Sequence, residues 1–132
     1  MKHVLLSVPT LTLLFLAILF LQSGLDKVFN YKGNKEWIDG HFAKSPLAGI
    51  SGIMMFLITI LECLSGLLCA VGIFTLVFQS NTEIGLWGAQ LSALSILALF
   101  FGQRLAQDYE GAATLTTYFL ITLVAMYSLW TF

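Results

Sequence analysis

The chain has 132 residues, 58% of them hydrophobic and 10% charged, with a mean hydropathy of +0.91. A soluble domain of this size still exposes about a third of its unfolded-chain surface and is roughly a quarter charged, so this composition excludes a soluble enzyme and a disordered tail. Six Lys and Arg against seven Asp and Glu give a net charge of −1, which leaves no basic excess to neutralise a nucleic-acid backbone.

A hydrocarbon core about 30 Å thick takes ~20 apolar residues of helix. Four stretches are long enough, and lipid offers no partners to exposed backbone, so helices are the reading. The chain is expected to be a single all-α membrane domain over residues 1–132, an up-down four-transmembrane-helix bundle with spans at about 4–29, 46–78, 82–105 and 110–131. The first stretch is read as a retained span. Its apolar run exceeds a signal-peptide core, and Leu21-Gln22-Ser23-Gly24 is a poor small-residue cleavage site.

Beyond that span, Gly33-Asn34 are expected to punctuate the chain. Trp37, Ile38, His41 and Phe42 then share one helical face while Lys35, Glu36 and Asp39 fall elsewhere. This predicts a short amphipathic helix lying in the interface between spans 1 and 2. Ser45-Pro46 reads as an N-cap and N1 proline opening the second span. Ser80 or Asn81 is expected to cap the third. Gly85, Ala89 and Ala93, four apart, form a close-packing stripe for this protein's own helices or for a partner.

Trp87, Tyr127 and Trp130 mark one membrane boundary, and Tyr31, Trp37 and Tyr109 the other. One side carries Lys27, Lys32, Lys35, Lys44 and Arg104, and the other only Lys2. The positive-inside rule therefore puts the long connection in the cytoplasm and both termini outside.

Glu62 falls near the middle of the second span. A carboxyl group there costs several kcal/mol unless it is protonated, paired or faces a polar cavity. It is either a ligand- or proton-handling group or a structural link between helices. The helix ends on the long-connection side supply candidate partners: Asp26 and Lys27 after the first span, Gln103 and Arg104 after the third and Asp108 before the fourth. With Gln22 on the wall, these predict a funnel with a charged mouth and Glu62 as its floor, ~15–20 Å down at 1.5 Å per residue.

No metal site is expected, because His3 and His41 fall on opposite sides of the membrane. Cys63 and Cys69 are six apart on one helix, an axial gap of ~9 Å that does not suit a disulfide. No catalytic set or cofactor motif can be assembled.

Three segments occur in order: Phe20-Leu21-Gln22-Ser23-Gly24-Leu25-Asp26-Lys27, then Leu61-Glu62-Cys63-Leu64-Ser65-Gly66, then Phe101-Gly102-Gln103-Arg104-Leu105-Ala106-Gln107-Asp108-Tyr109-Glu110-Gly111. Together they resemble the DoxX family of small four-helix membrane proteins. By motif position the resemblance carries over Gly24, Lys27, Glu62 and Gly66. It implies a multi-pass protein of the bacterial cytoplasmic (inner) membrane. Name-giving members are associated with thiosulfate:quinone oxidoreductase, others with thiol and oxidative-stress systems, and distant animal relatives with receptor assembly. The expectation is an accessory subunit of a redox or respiratory-type assembly. It would be in contact with lipid and other membrane subunits, hold no resident cofactor, and bind a quinone-like ligand or a partner in the pocket around Glu62. The alternative is a non-catalytic assembly factor or structural subunit, motivated by the Gly85/Ala89/Ala93 stripe and the missing catalytic set.

Overall fold

The computed structural model describes residues 2–132, with side chains described from Val4 onward. Lys2 and His3, weighed above as charge and ligand, thus have side chains outside the described residues. The chain forms α1 (Lys2–Leu5), α2 (Val8–Phe29), α3 (Tyr31–His41), a 3-10 turn (Ala48–Ile50), α4 (Ser51–Gln79), α5 (Glu83–Leu105) and α6 (Tyr109–Thr131). There is no strand among the described residues. The helices α2, α4 with its leading turn, α5 and α6 are long and apolar enough to cross a membrane. Each packs on the next, and α6 closes back on α2.

Lipid is as apolar as leucine, so close packing rather than water exclusion holds such helices together. The α4–α5 seam shows how. A Cβ on Gly72 would collide with the Gly85 backbone, and one on Gly88 would lie 2.8 Å from the Cys69 nitrogen. Further along the seam Cys69 meets Ser92 at 3.6 Å and Ser65 meets Ser95 at 3.2 Å. The small-residue stripe therefore packs inside the bundle. Gly85 and Ala89 of the stripe are buried, joined there by Gly88, Ser92 and Ser95, whereas Ala93 is partly exposed. Leu13, Leu16 and Phe20 of α2, Leu76 of α4, Ile96 of α5 and Leu129 of α6 fill the centre.

Several boundaries differ from the sequence reading, each for a local reason. The first span breaks before Val8, because Pro9 lacks an N–H and sits in the opening turn of α2. The turn after α2 is a single residue, Asn30 (φ −122°, ψ 49°), and Gly33-Asn34 lie inside α3. Asn34 stays helical while its amide donates to the Asn30 carbonyl at 2.9 Å and the Asp26 carboxylate at 3.1 Å. Ser45-Pro46 does not open α4. The Ser45 hydroxyl accepts from the Leu47 N–H at 3.1 Å and donates to the Phe42 carbonyl, which forms a turn ahead of the helix that starts at Ser51. At the other end, Ser80 closes α4 in the left-handed region (φ 51°). Thr82 takes the N-cap position of α5, while the Asn81 carboxamide accepts from the Glu83 N–H at 2.8 Å.

The amphipathic α3 lies across one end of the bundle. Ile38 and Phe42 are buried against Met55, whereas Trp37 is 61% exposed. Lys35 bonds Asp39 at 2.8 Å, and Asp39 accepts from Ser51 at the start of α4 at 2.6 Å. Lys35, then Ser51, hold the Asp39 carboxyl below its ordinary range, and Asp39 raises Lys35 in turn.

Candidate functional site

The helices α2 and α4 run antiparallel and touch where glycine permits it. A Cβ at Gly24 would lie 2.8 Å from the Cys63 sulfur, and one at Gly66 would lie 2.8 Å from the Leu21 nitrogen. These two close approaches fix the register. One turn beyond Gly24 stands Lys27, and one turn before Gly66 stands Glu62. The ion pair between them follows from that spacing: Lys27 Nζ lies 3.1 Å from Glu62 Oε1 and donates to Oε2 at 3.4 Å. It also donates to Ser23 Oγ at 2.9 Å. The Glu62 side chain is 2% exposed and that of Lys27 16%. Oε1 takes the ionic contact and receives no directed hydrogen bond.

The funnel expected from sequence had the cations at a mouth well above Glu62. The pair instead sits at one level, because α4 overshoots the end of α2. Glu62 lies eleven residues past Ser51, ~16 Å along the helix. The α3 segment roofs the overshoot. Under that roof is a cavity of about 360 Å³. Its walls are largely apolar: Trp37, Ile38 and Phe42 from α3, Met54, Met55, Ile58 and Leu61 from α4, Ala98 and Leu99 from α5. Four polar side chains reach it, those of Lys27, Asn34, His41 and Gln103. His41 Nε2 lies 2.6 Å from Gln103 Oε1 and 3.5 Å from Asp108 Oδ2. Trp37 stacks on the His41 ring at 4.5 Å.

The other expected pocket residues stand elsewhere. Gln22 is exposed and does not line the cavity. Asp26 is exposed and accepts from Asn34. Arg104 is exposed, with its guanidinium 4.5 Å from the Tyr109 ring centre. The α4–α5 register, Ser65 against Ser95, places Arg104 more than a turn beyond Glu62, and its stem turns outward. Asp108 caps α6, accepting from the Gly111 N–H at 2.9 Å, and reaches the site only through His41.

Ser23, Asn34 and His41 were not among the expected pocket residues, and Gln103, a candidate partner for Glu62, bonds His41 instead. The i, i+4 spacing of Ser23 to Lys27 was a legible signal. The pairing of His41 with Gln103 across 62 residues was not.

Among known families, a model described as DoxX matches residues 10–101. That span holds Gly24, Lys27, His41, Glu62 and Gly66 and stops short of Gln103 and Asp108. No curated protein and no solved structure matches the chain.

Proposed function

The chain belongs to the DoxX family, and on that premise we propose that it is an accessory subunit of a redox or respiratory-type assembly in the bacterial cytoplasmic membrane, its roofed cavity binding a neutral quinone-like ring. The observation that carries this reading is the cavity's chemistry. Ligand sites are mostly apolar hollows of about 300–1,000 Å³ with a few placed polar groups, and the space beneath α3 fits that description. The Lys27 charge is already met by Glu62, which favours an uncharged guest over a free anion. The 3.4 Å bond to Oε2 is long, so an ammonium hydrogen is available to a ligand carbonyl while the 3.1 Å ionic contact persists. Trp37 and Phe42 bring aromatic rings to the cavity wall.

In this reading Lys27 orients a ring oxygen and Glu62 holds Lys27 in place. The α3 roof covers the ring with apolar side chains. A bound quinone supplies electron-acceptor chemistry to the assembly, and redox centres belong to partner subunits. The alternative, a non-catalytic assembly factor, loses its motivating stripe to the α4–α5 seam. It retains α6, which has the smallest share of its apolar window buried, 22% against 39% for α2.

The test uses the protein in nanodiscs with Trp87→Phe and Trp130→Phe, which leave Trp37 as the reporter. Titration with a decyl-substituted benzoquinone is expected to quench Trp37 saturably. Lys27→Met combined with Glu62→Gln removes both charges without stranding either, and is expected to weaken binding about tenfold, the worth of a charged hydrogen bond. Absence of saturable quenching, or unchanged affinity in the double variant, overturns the reading.

A further inference from the structure

His41 is the cavity group whose contacts the ion pair leaves unexplained. Both of its polar contacts run through Nε2, to Gln103 Oε1 and to Asp108 Oδ2. Each of those atoms accepts, so Nε2 carries a hydrogen whether the ring is neutral or charged. Nδ1 is left with no protein partner among the described residues. A neutral ring presents a lone pair there, and a charged ring presents an N–H. Stacking on Trp37, with ring planes 13° apart, holds the imidazole plane.

The surroundings connect this ring to water. The side chain of His41 is 18% exposed and that of Asp108 33%. Asp108 cannot swing freely, because its other oxygen caps Gly111. Of the other charged groups on the bounding elements, Asp26 of α2 accepts from Asn34, and Lys32 and Glu36 of α3 and Lys44 just after it are exposed. Lys27 of α2 is neutralised by Glu62 of α4, and Arg104 of α5 turns onto Tyr109. Lys35 and Asp39 of α3 hold each other, and Glu110 of α6 is exposed. Asp108, 3.5 Å away, is the group placed to meet an imidazolium charge.

The geometry points to His41 as a donor–acceptor switch that lets the cavity take both forms of a carbonyl/hydroxyl ring couple with opposite pH preference. The charged imidazole donates from Nδ1 to a ring carbonyl. The neutral imidazole accepts at Nδ1 from a ring hydroxyl. Binding of the carbonyl form is thus linked to proton uptake, and binding of the hydroxyl form to proton release, by the reciprocity of coupled equilibria. This inference rests on the quinone-type reading of the cavity, and it adds which residue distinguishes the two forms and how.

The experiment measures Trp37 quenching by decyl-benzoquinone and, under anaerobic conditions, by its quinol, over about pH 5 to 8, where imidazole side chains ordinarily change charge. The native His41 protein is expected to bind the quinone about threefold or more tighter at the acid end and the quinol about threefold or more tighter at the alkaline end, the worth of one hydrogen bond. His41→Gln is expected to bind both probes with flat profiles. Gly111→Ala keeps the imidazole but perturbs its neighbours, since a Cβ there would lie 2.7 Å from Asp108 Oδ2 and 2.8 Å from Gln103 Nε2. It is expected to shift the pH at which the two profiles cross without abolishing the crossing. Binding with flat or same-direction profiles, or a crossing that survives His41→Gln, overturns the switch and leaves the cavity reading standing. Failure of the quinol alone to bind at any pH also overturns only the switch, and failure of both probes to bind overturns both.

Discussion

Lys27→Met alone would leave the Glu62 carboxylate buried with no counter-charge, since it is the cation that contacts Glu62. Breaking a buried pair from one side costs about 3–5 kcal/mol, whereas replacing both members by neutral groups costs far less. A double-mutant cycle read by thermal unfolding in detergent is therefore expected to show each single variant strongly destabilised. The double variant Lys27→Met/Glu62→Gln should be more stable than either, with a coupling of about 1–3 kcal/mol. Additive losses would mean that the pair does not act as a unit. Glu62 was legible because a charge inside an apolar run needs a partner. Its partner was legible only as one of several. Side-chain reach and helix register, which separate Lys27 from Arg104, depend on where Gly24 and Gly66 let the helices touch. That information is three-dimensional.

At the level of helices, glycine has two opposite meanings in this chain. Gly40 is exposed on α3, and a Cβ added there would meet nothing within 4 Å. Gly40→Ala is therefore expected to stabilise α3 by about 0.5–1 kcal/mol through helix propensity alone. Gly72 meets the Gly85 backbone. Gly72→Ala forces α4 and α5 apart and is expected to cost about 1–3 kcal/mol. Hydrogen exchange on α3 for the first, and the unfolding temperature for the second, check these directions. The four spans were visible from apolar length. Their ends were less so, because short side chains decided them: Ser45 builds a turn where a cap was expected, and Asn34 bonds backward so that α3 begins at Tyr31. Local hydrogen-bonding residues can serve either a helix end or a turn, and sequence alone leaves both open.

The whole molecule has one charged end and one nearly bare end. Lys27, Lys32, Lys35, Lys44 and Arg104 all fall at the end where α3 lies, while the opposite turn between Gln79 and Glu83 carries no cation. Lys27 is sequestered by Glu62, so four of the five cations are left to act on topology. The charged end is expected to face the cytoplasm. With the native cysteines replaced by serine, Gln79→Cys should react with an impermeant maleimide in intact cells and Ala43→Cys only after lysis. The reverse pattern would invert the orientation. The matched ion pair also bears on an energised membrane. A solitary carboxylate carried across the full field would feel about 2.3 kcal/mol per 100 mV. Lys27 and Glu62 present instead a dipole with its poles 3.1 Å apart, on which the transmembrane voltage does little work. The ion pair is thus electrically silent, and polarisation of the membrane leaves its geometry undisturbed.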